Sequence, residues 1–140
     1  RYARFLSHAK NPALIAAEDV HWSDASAPLE KLAHRLGAPV YAAPYTGVLP
    51  VASQSPCYAG YLPPSLRQIA ERLAPHDALL FVGGRGLRTT LYSEAHLPQK
   101  KAWLGNDAAV LATDGEFELA QLADTRGALQ NIINKINRLN

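Results

Sequence analysis

The sequence has no methionine and one cysteine, Cys57. A lone cysteine excludes a disulfide framework within the chain, which fits a reducing, cytoplasmic setting. No basic helix terminus is expected beside Cys57, so it reads as inert rather than nucleophilic. No apolar run approaches the roughly 20 residues that a membrane span needs, and no charged start followed by an apolar stretch marks a secretion signal. Charge of one sign is also scarce. The net charge is +2, and the basic residues are scattered, with Lys100 and Lys101 their one adjacent pair. That leaves no footprint for nucleic acid. The chain starts at Arg1, so the expectation is a piece of a longer protein.

The common catalytic signatures are absent too. There is no G-x-S-x-G elbow, no P-loop and no C-x-x-C. The five histidines (His8, His21, His34, His76 and His96) do not pair at metal-ligand spacing, so no metal site is expected.

What is there is a core. Hydrophobic residues make up 48% of the 140 positions and charged residues 19%, values of a globular domain large enough to fold alone. Tyr2, Phe5 and Leu6 have helical spacing, ended by Asn11 and Pro12. Ala13 to Ala17 is a short apolar run without alternation, the pattern of a strand buried on both faces. Pro28 to Leu36 places Leu29, Leu32, Ala33 and Leu36 on one helical face, and Gly37 stops it. His34 falls opposite and is expected in solvent. Val40 to Ala43 reads as a second buried strand. Residues 44 to 64, rich in Pro, Gly and Ser, read as a long surface excursion. A helix follows over Ser65 to Leu73, then the strongly apolar strand Ala78 to Val82.

The last third is less regular. Ala108 to Ala112 and Phe117 to Leu122 both read as strands. Asp114 and Gly115 between them suit an antiparallel hairpin, and a degenerate crossover is the rival. Asp124 can cap a helix from Thr125 to Leu139, with Leu129, Ile132, Ile133, Ile136 and Leu139 as its apolar stripe. Alternation of helix and strand predicts one α/β domain over 1–140, a three-layer Rossmann-like, mostly parallel sheet with helices on both faces.

Two features could carry chemistry. Gly83, Gly84 and Arg85 directly follow a strand, where glycines let backbone approach a phosphate. The full G-x-G-x-x-G fingerprint is missing, so a tight turn is the plainer reading. His96, in the irregular stretch 85–107, is the one histidine kept as a site candidate. The Thr113-Asp114-Gly115 segment is read as a turn.

Three stretches carry a resemblance. Asn11 to Val20, Lys31 to Pro44, and Ser55 to Pro63 followed by a helix and then His76 to Gly83, resemble in order and spacing the central domain of thiamine-diphosphate-dependent enzymes. Benzoylformate decarboxylases are the most similar group. The resemblance implies a six-stranded, mostly parallel sheet that braces a larger 2-oxo-acid decarboxylase. Thiamine diphosphate and magnesium would be held mainly by flanking domains, with no cofactor on this chain and no activity in isolation. Flanking domains and sister subunits are the implied partners, and nucleic acid and membrane are not. Related central domains bind a flavin or adenine nucleotide, so a module for FAD, NAD or ADP is the alternative. A docking role for the excursion at 44–64 is a third option. The resemblance also places Thr90 where those decarboxylases carry an active-site histidine. Thr cannot shuttle a proton near neutral pH as His can, which leaves His96 as the nearby candidate. The span from Ala108 to Leu122 is short for the usual strand, helix and strand, which puts the final crossover in doubt.

Overall fold

A computed structural model describes residues 1–44, 46–84, 97–108, 110 and 117–139. Its frame is a six-stranded sheet: β1 (Pro12–Ala16), β2 (Val40–Ala42), β3 (Tyr58–Tyr61), β4 (Ala78–Val82), β5 (Lys100–Gly105) and β6 (Leu119–Leu122). The spatial order is β3-β2-β1-β4-β5-β6, and every neighbouring pair is parallel. Among the described residues five helices surround it: α1 (Tyr2–Ser7), the single turn α2 (Asp19–Trp22), α3 (Ser26–Leu36), α4 (Leu66–Leu73) and α5 (Thr125–Leu139).

The sheet is parallel because its central strands are apolar on both faces. All five residues of β1 are buried, as are all five of β4. Such strands must be covered twice, and crossover helices supply the cover. Leu14, Ala16, Leu80, Val82, Ala102 and Leu104 point to one side, onto Leu6 of α1, Leu29 and Leu32 of α3, and Leu129, Ile132 and Ile136 of α5. Ala13, Ile15, Leu79, Phe81 and Trp103 point to the other, onto Ile69 and Leu73 of α4 and onto Leu62 and Val110. The predicted three-layer architecture is therefore the observed one.

Local signals fix the helix ends. Ser65 accepts from the Gln68 amide at 3.4 Å at the start of α4. Asp124 does the same for α5, accepting from Gly127 N at 3.1 Å. Gly37 closes α3 in the left-handed region at φ 63°. His34 is exposed, as its place on α3 predicts.

Three expectations are corrected. The excursion at 44–64 holds β3, which lines the sheet edge beside β2; Gly60 at φ 109° and a register shift between Val40 and Tyr41 hide it from pattern reading. In the last third a strand stands at Lys100–Gly105, and of the expected strand Ala108 to Ala112 the described residues Ala108 and Val110 have 3₁₀ conformation, while 109, 111 and 112 lie outside the described residues. Lys100 and Lys101 mask that strand. They stand at its exposed start, where Lys101 Nζ donates to the Leu97 and Gln99 carbonyls at 2.7 and 3.1 Å. Finally, β6 runs parallel to β5, so the antiparallel hairpin gives way to a crossover. Residues 114 and 115 of the expected hairpin turn lie outside the described residues.

Long-range polar contacts lock the layers. The Tyr2 hydroxyl donates to the Trp103 carbonyl at 2.6 Å, and burial pushes this phenol up to about 12. Asp77 accepts from the Lys10 and Asn11 amides at 2.8 and 2.9 Å, which holds the entry of β1 beside that of β4. Buried His76 bridges the Tyr41 hydroxyl at 3.0 Å and the Asn11 carbonyl at 3.2 Å. Among the described residues no helix is long and apolar enough to cross a membrane.

Two outcomes are expected on unfolding by urea. Leu80→Ala, at a fully buried position, costs about 2–5 kcal/mol. The Lys10 and Asn11 amides hold the Asp77 carboxyl below its ordinary 3.8. Its stabilisation is therefore present above that value and lost as pH falls through the depressed one. Asp77→Asn is less stable than wild type at neutral pH, and the two converge in strong acid.

Candidate functional site

In an open parallel sheet the chain reverses its direction of growth where two neighbouring strands lead their crossovers to opposite faces. Ligands in such folds bind in the crevice outside the carboxyl ends of those strands. Here β1 and β4 are the neighbours at which the strand order reverses, with β2 beyond β1 and β5 beyond β4. β1 leads into Ala17, Glu18 and Asp19, and β4 into Gly83 and Gly84.

Both glycines have positive φ, 79° at Gly83 and 64° at Gly84. Two side chains grip them. From the β1 side, both Asp19 carboxylate oxygens accept from the Gly84 amide at 3.1 Å. From the β5 side, the Trp103 indole N–H donates to the Gly83 and Gly84 carbonyls at 3.2 and 3.3 Å. Close approach requires these residues to be glycine. A Cβ on Gly83 would lie 2.1 Å from Asp19 Oδ1, and one on Gly84 would lie 2.9 Å from the Ala17 Cβ. Gly105, at the end of β5, is bare for the same reason, since a Cβ there would meet the Trp103 ring at 2.8 Å.

Among the described residues, the charges beside the Asp19–Gly84 contact are acidic. Burial raises the Asp19 carboxyl above the usual carboxylate value; the Gly84 amide opposes that rise, and the charges of Glu18 and Asp107 add to it. Glu18 itself accepts from the Gly47 amide at 3.0 Å. A phosphate entering within 4 Å of the Asp19 carboxylate would meet a repulsion of about 4 kcal/mol per charge pair in a partly screened site.

Of the residues expected to approach a nucleotide, Gly83 and Gly84 stand at the crevice, and Arg85 lies outside the described residues, as do Thr90 and His96. The Gly84 amide is engaged by Asp19, a residue that the sequence reading assigned no role. The signal for it was available: in a nucleotide-binding fold the glycine-rich turn follows β1, whereas here β1 is followed by Ala17, Glu18 and Asp19. Cys57 is half-buried, with its sulfur 3.3 Å from the Ser55 hydroxyl. No group of three His, Cys, Asp or Glu among the described residues could hold a metal ion.

The thiamine pyrophosphate enzyme central-domain model matches residues 1–132. The chain belongs to this family. Three solved structures share its fold. A thiamine diphosphate-dependent 4-hydroxybenzoylformate decarboxylase of Rhodococcus jostii RHA1 aligns over 96% of this chain, with TM-score 0.88 and 26% identity. A benzoylformate decarboxylase of Polynucleobacter necessarius aligns over 95%, with TM-score 0.87 and 21% identity. A Mycobacterium smegmatis protein classed as a thiamin diphosphate-dependent enzyme aligns over 96%, with TM-score 0.87 and 22% identity. The chain spans about a quarter of the length of each, 26%, 25% and 26% respectively.

The family implies thiamine diphosphate, and the described residues do not fit it. A diphosphate with its counter-ion needs cationic or metal-binding groups and free amide donors. The described residues of the crevice offer carboxylates and an amide already engaged.

The packing of Gly83 against Asp19 has a measurable signature. Gly83→Ala costs more than the roughly 1 kcal/mol of an ordinary strained glycine, because its methyl collides with the carboxylate. In a double-mutant cycle with Asp19→Ala part of that cost is recovered, a coupling of about 0.5–3 kcal/mol. Because burial raises the folded-state carboxyl, Asp19 carries an ionisation cost that is present at neutral pH and relieved as pH falls through the raised value. The stability of Asp19→Asn relative to wild type therefore declines as acid is added, the reverse of the trend at Asp77.

Proposed function

We propose that this domain is the bracing middle layer of a thiamine-diphosphate-dependent 2-oxo-acid decarboxylase of the benzoylformate decarboxylase type. The observation that carries the reading is the family match over 1–132, together with 26% identity to a 4-hydroxybenzoylformate decarboxylase. The closed crevice at β1 and β4 supports it over a nucleotide-binding role, because Asp19 already holds the donor a phosphate would use.

In this reading flanking domains hold the cofactor, with magnesium on its diphosphate, and sister subunits complete a cytoplasmic oligomer. The cofactor supplies the electron sink for loss of carbon dioxide. This chain contributes rigidity. Its doubly buried sheet fixes the point, Gly84, from which the segment carrying Thr90 and His96 departs. Those two residues are the proposed contributions of this domain to the catalytic pocket, His96 as the proton carrier and Thr90 as a neutral hydrogen-bonding group.

The isolated chain, supplied with thiamine diphosphate and magnesium, is expected to release no carbon dioxide from benzoylformate. The parent protein is expected to do so, with His96→Ala lowering kcat by roughly 10²-fold or more. Turnover by the isolated chain would remove the bracing role, and a parent inert toward every aromatic 2-oxo acid would remove the decarboxylase assignment.

A further inference from the structure

We propose that Asp19 is a built-in anion that sets the ligand class of this domain. Its carboxylate occupies the place between β1 and β4 where the fold would hold a phosphate, and so excludes nucleotides. The place is one reason. The carboxyl ends of β1 and β4 flank the crevice in which parallel sheets of this strand order take their ligands.

The donor is another. Backbone amides next to glycines are the groups that cradle phosphate oxygens, and the Gly84 amide is directed at both Asp19 oxygens at 3.1 Å. Shape is a third. The carboxylate sits against the bare Gly83 Cα so closely that a Cβ would be 2.1 Å from Oδ1. That is the intimacy a glycine-rich turn gives a phosphate oxygen, spent here on an internal side chain. The described charges nearby agree, since Glu18 beside it and Asp107 beyond β5 are both acidic. The glycine pair therefore serves an internal ligand, which accounts for its presence without a complete nucleotide fingerprint. None of this depends on the decarboxylase assignment.

Removing the carboxylate should uncover the cradle. Calorimetry with ADP and with inorganic pyrophosphate would compare wild type with Asp19→Gly and Asp19→Ser, their folding checked by circular dichroism. Wild type is expected to give no binding heat at millimolar ADP. Both variants should bind both probes, with affinity gained by on the order of ten-fold or more once the like charge is gone. Wild type binding ADP as tightly as the variants, or folded variants that bind neither probe, would overturn the proposal. Should neither variant fold, amide NMR of the wild-type chain decides. The Gly84 amide shift should follow one acid titration with its midpoint above 3.8, the ordinary carboxylate value. A Gly84 amide that stays still through that titration would refute the contact on which everything here rests.

Discussion

Burial of β1 and β4 on both faces is the constraint from which the architecture follows. Five consecutive buried residues in each strand leave no side for solvent. Strands of this kind need cover on both faces, and here they come out parallel. Crossovers of one hand then place the start of the sheet in its middle, with later strands added outward on both flanks. The crevice between β1 and β4 is a by-product of that growth. It exists because two neighbouring strands send their chains in opposite directions.

A crevice produced by topology needs something in it, because open backbone amides at the rim of a core are costly to leave unmet. Relatives of the fold can fill such a place with a phosphate. In this chain a side chain from the turn after β1 fills it, and the indole of Trp103 supports the glycine pair from the opposite side. The glycine backbone at this junction is held by hydrogen bonds from both sides, and Trp103 is fully buried. The chain beyond Gly84 thus departs from a point that hydrogen bonds hold on both sides.

Legibility in the sequence followed burial. The apolar runs Ala13 to Ala17 and Ala78 to Val82, and the stripes of α3, α4 and α5, were readable because each must satisfy a core face, although Leu139, expected at the end of the α5 stripe, is exposed. The elements that escaped are those whose side chains answer to something else. β3 is half-exposed at an edge and interrupted by Gly60. β5 begins with two lysines that lie outside the core, so its apolar portion is too short to stand out. α2 is one turn and has no period to detect. At the site, glycine signals pointed to the right strand end, but the partner of Gly84 lies 65 residues away in sequence. No local pattern encodes such a pairing; it emerges once β1 and β4 are adjacent.

The hydrogen bond from Tyr2 to the Trp103 carbonyl spans 101 residues. It joins the first helix to a strand made late in synthesis, and α1 also rests on α5, at the far end of the chain. Until β5 and α5 have been made, α1 lacks the Trp103 carbonyl and the α5 face that complete its packing. Closing so long a loop slows folding, and meanwhile the exposed apolar strands β1 and β4 could pair with the wrong neighbours. The contact between α1 and α5 can therefore form only once all six strands lying between them in sequence have been synthesised.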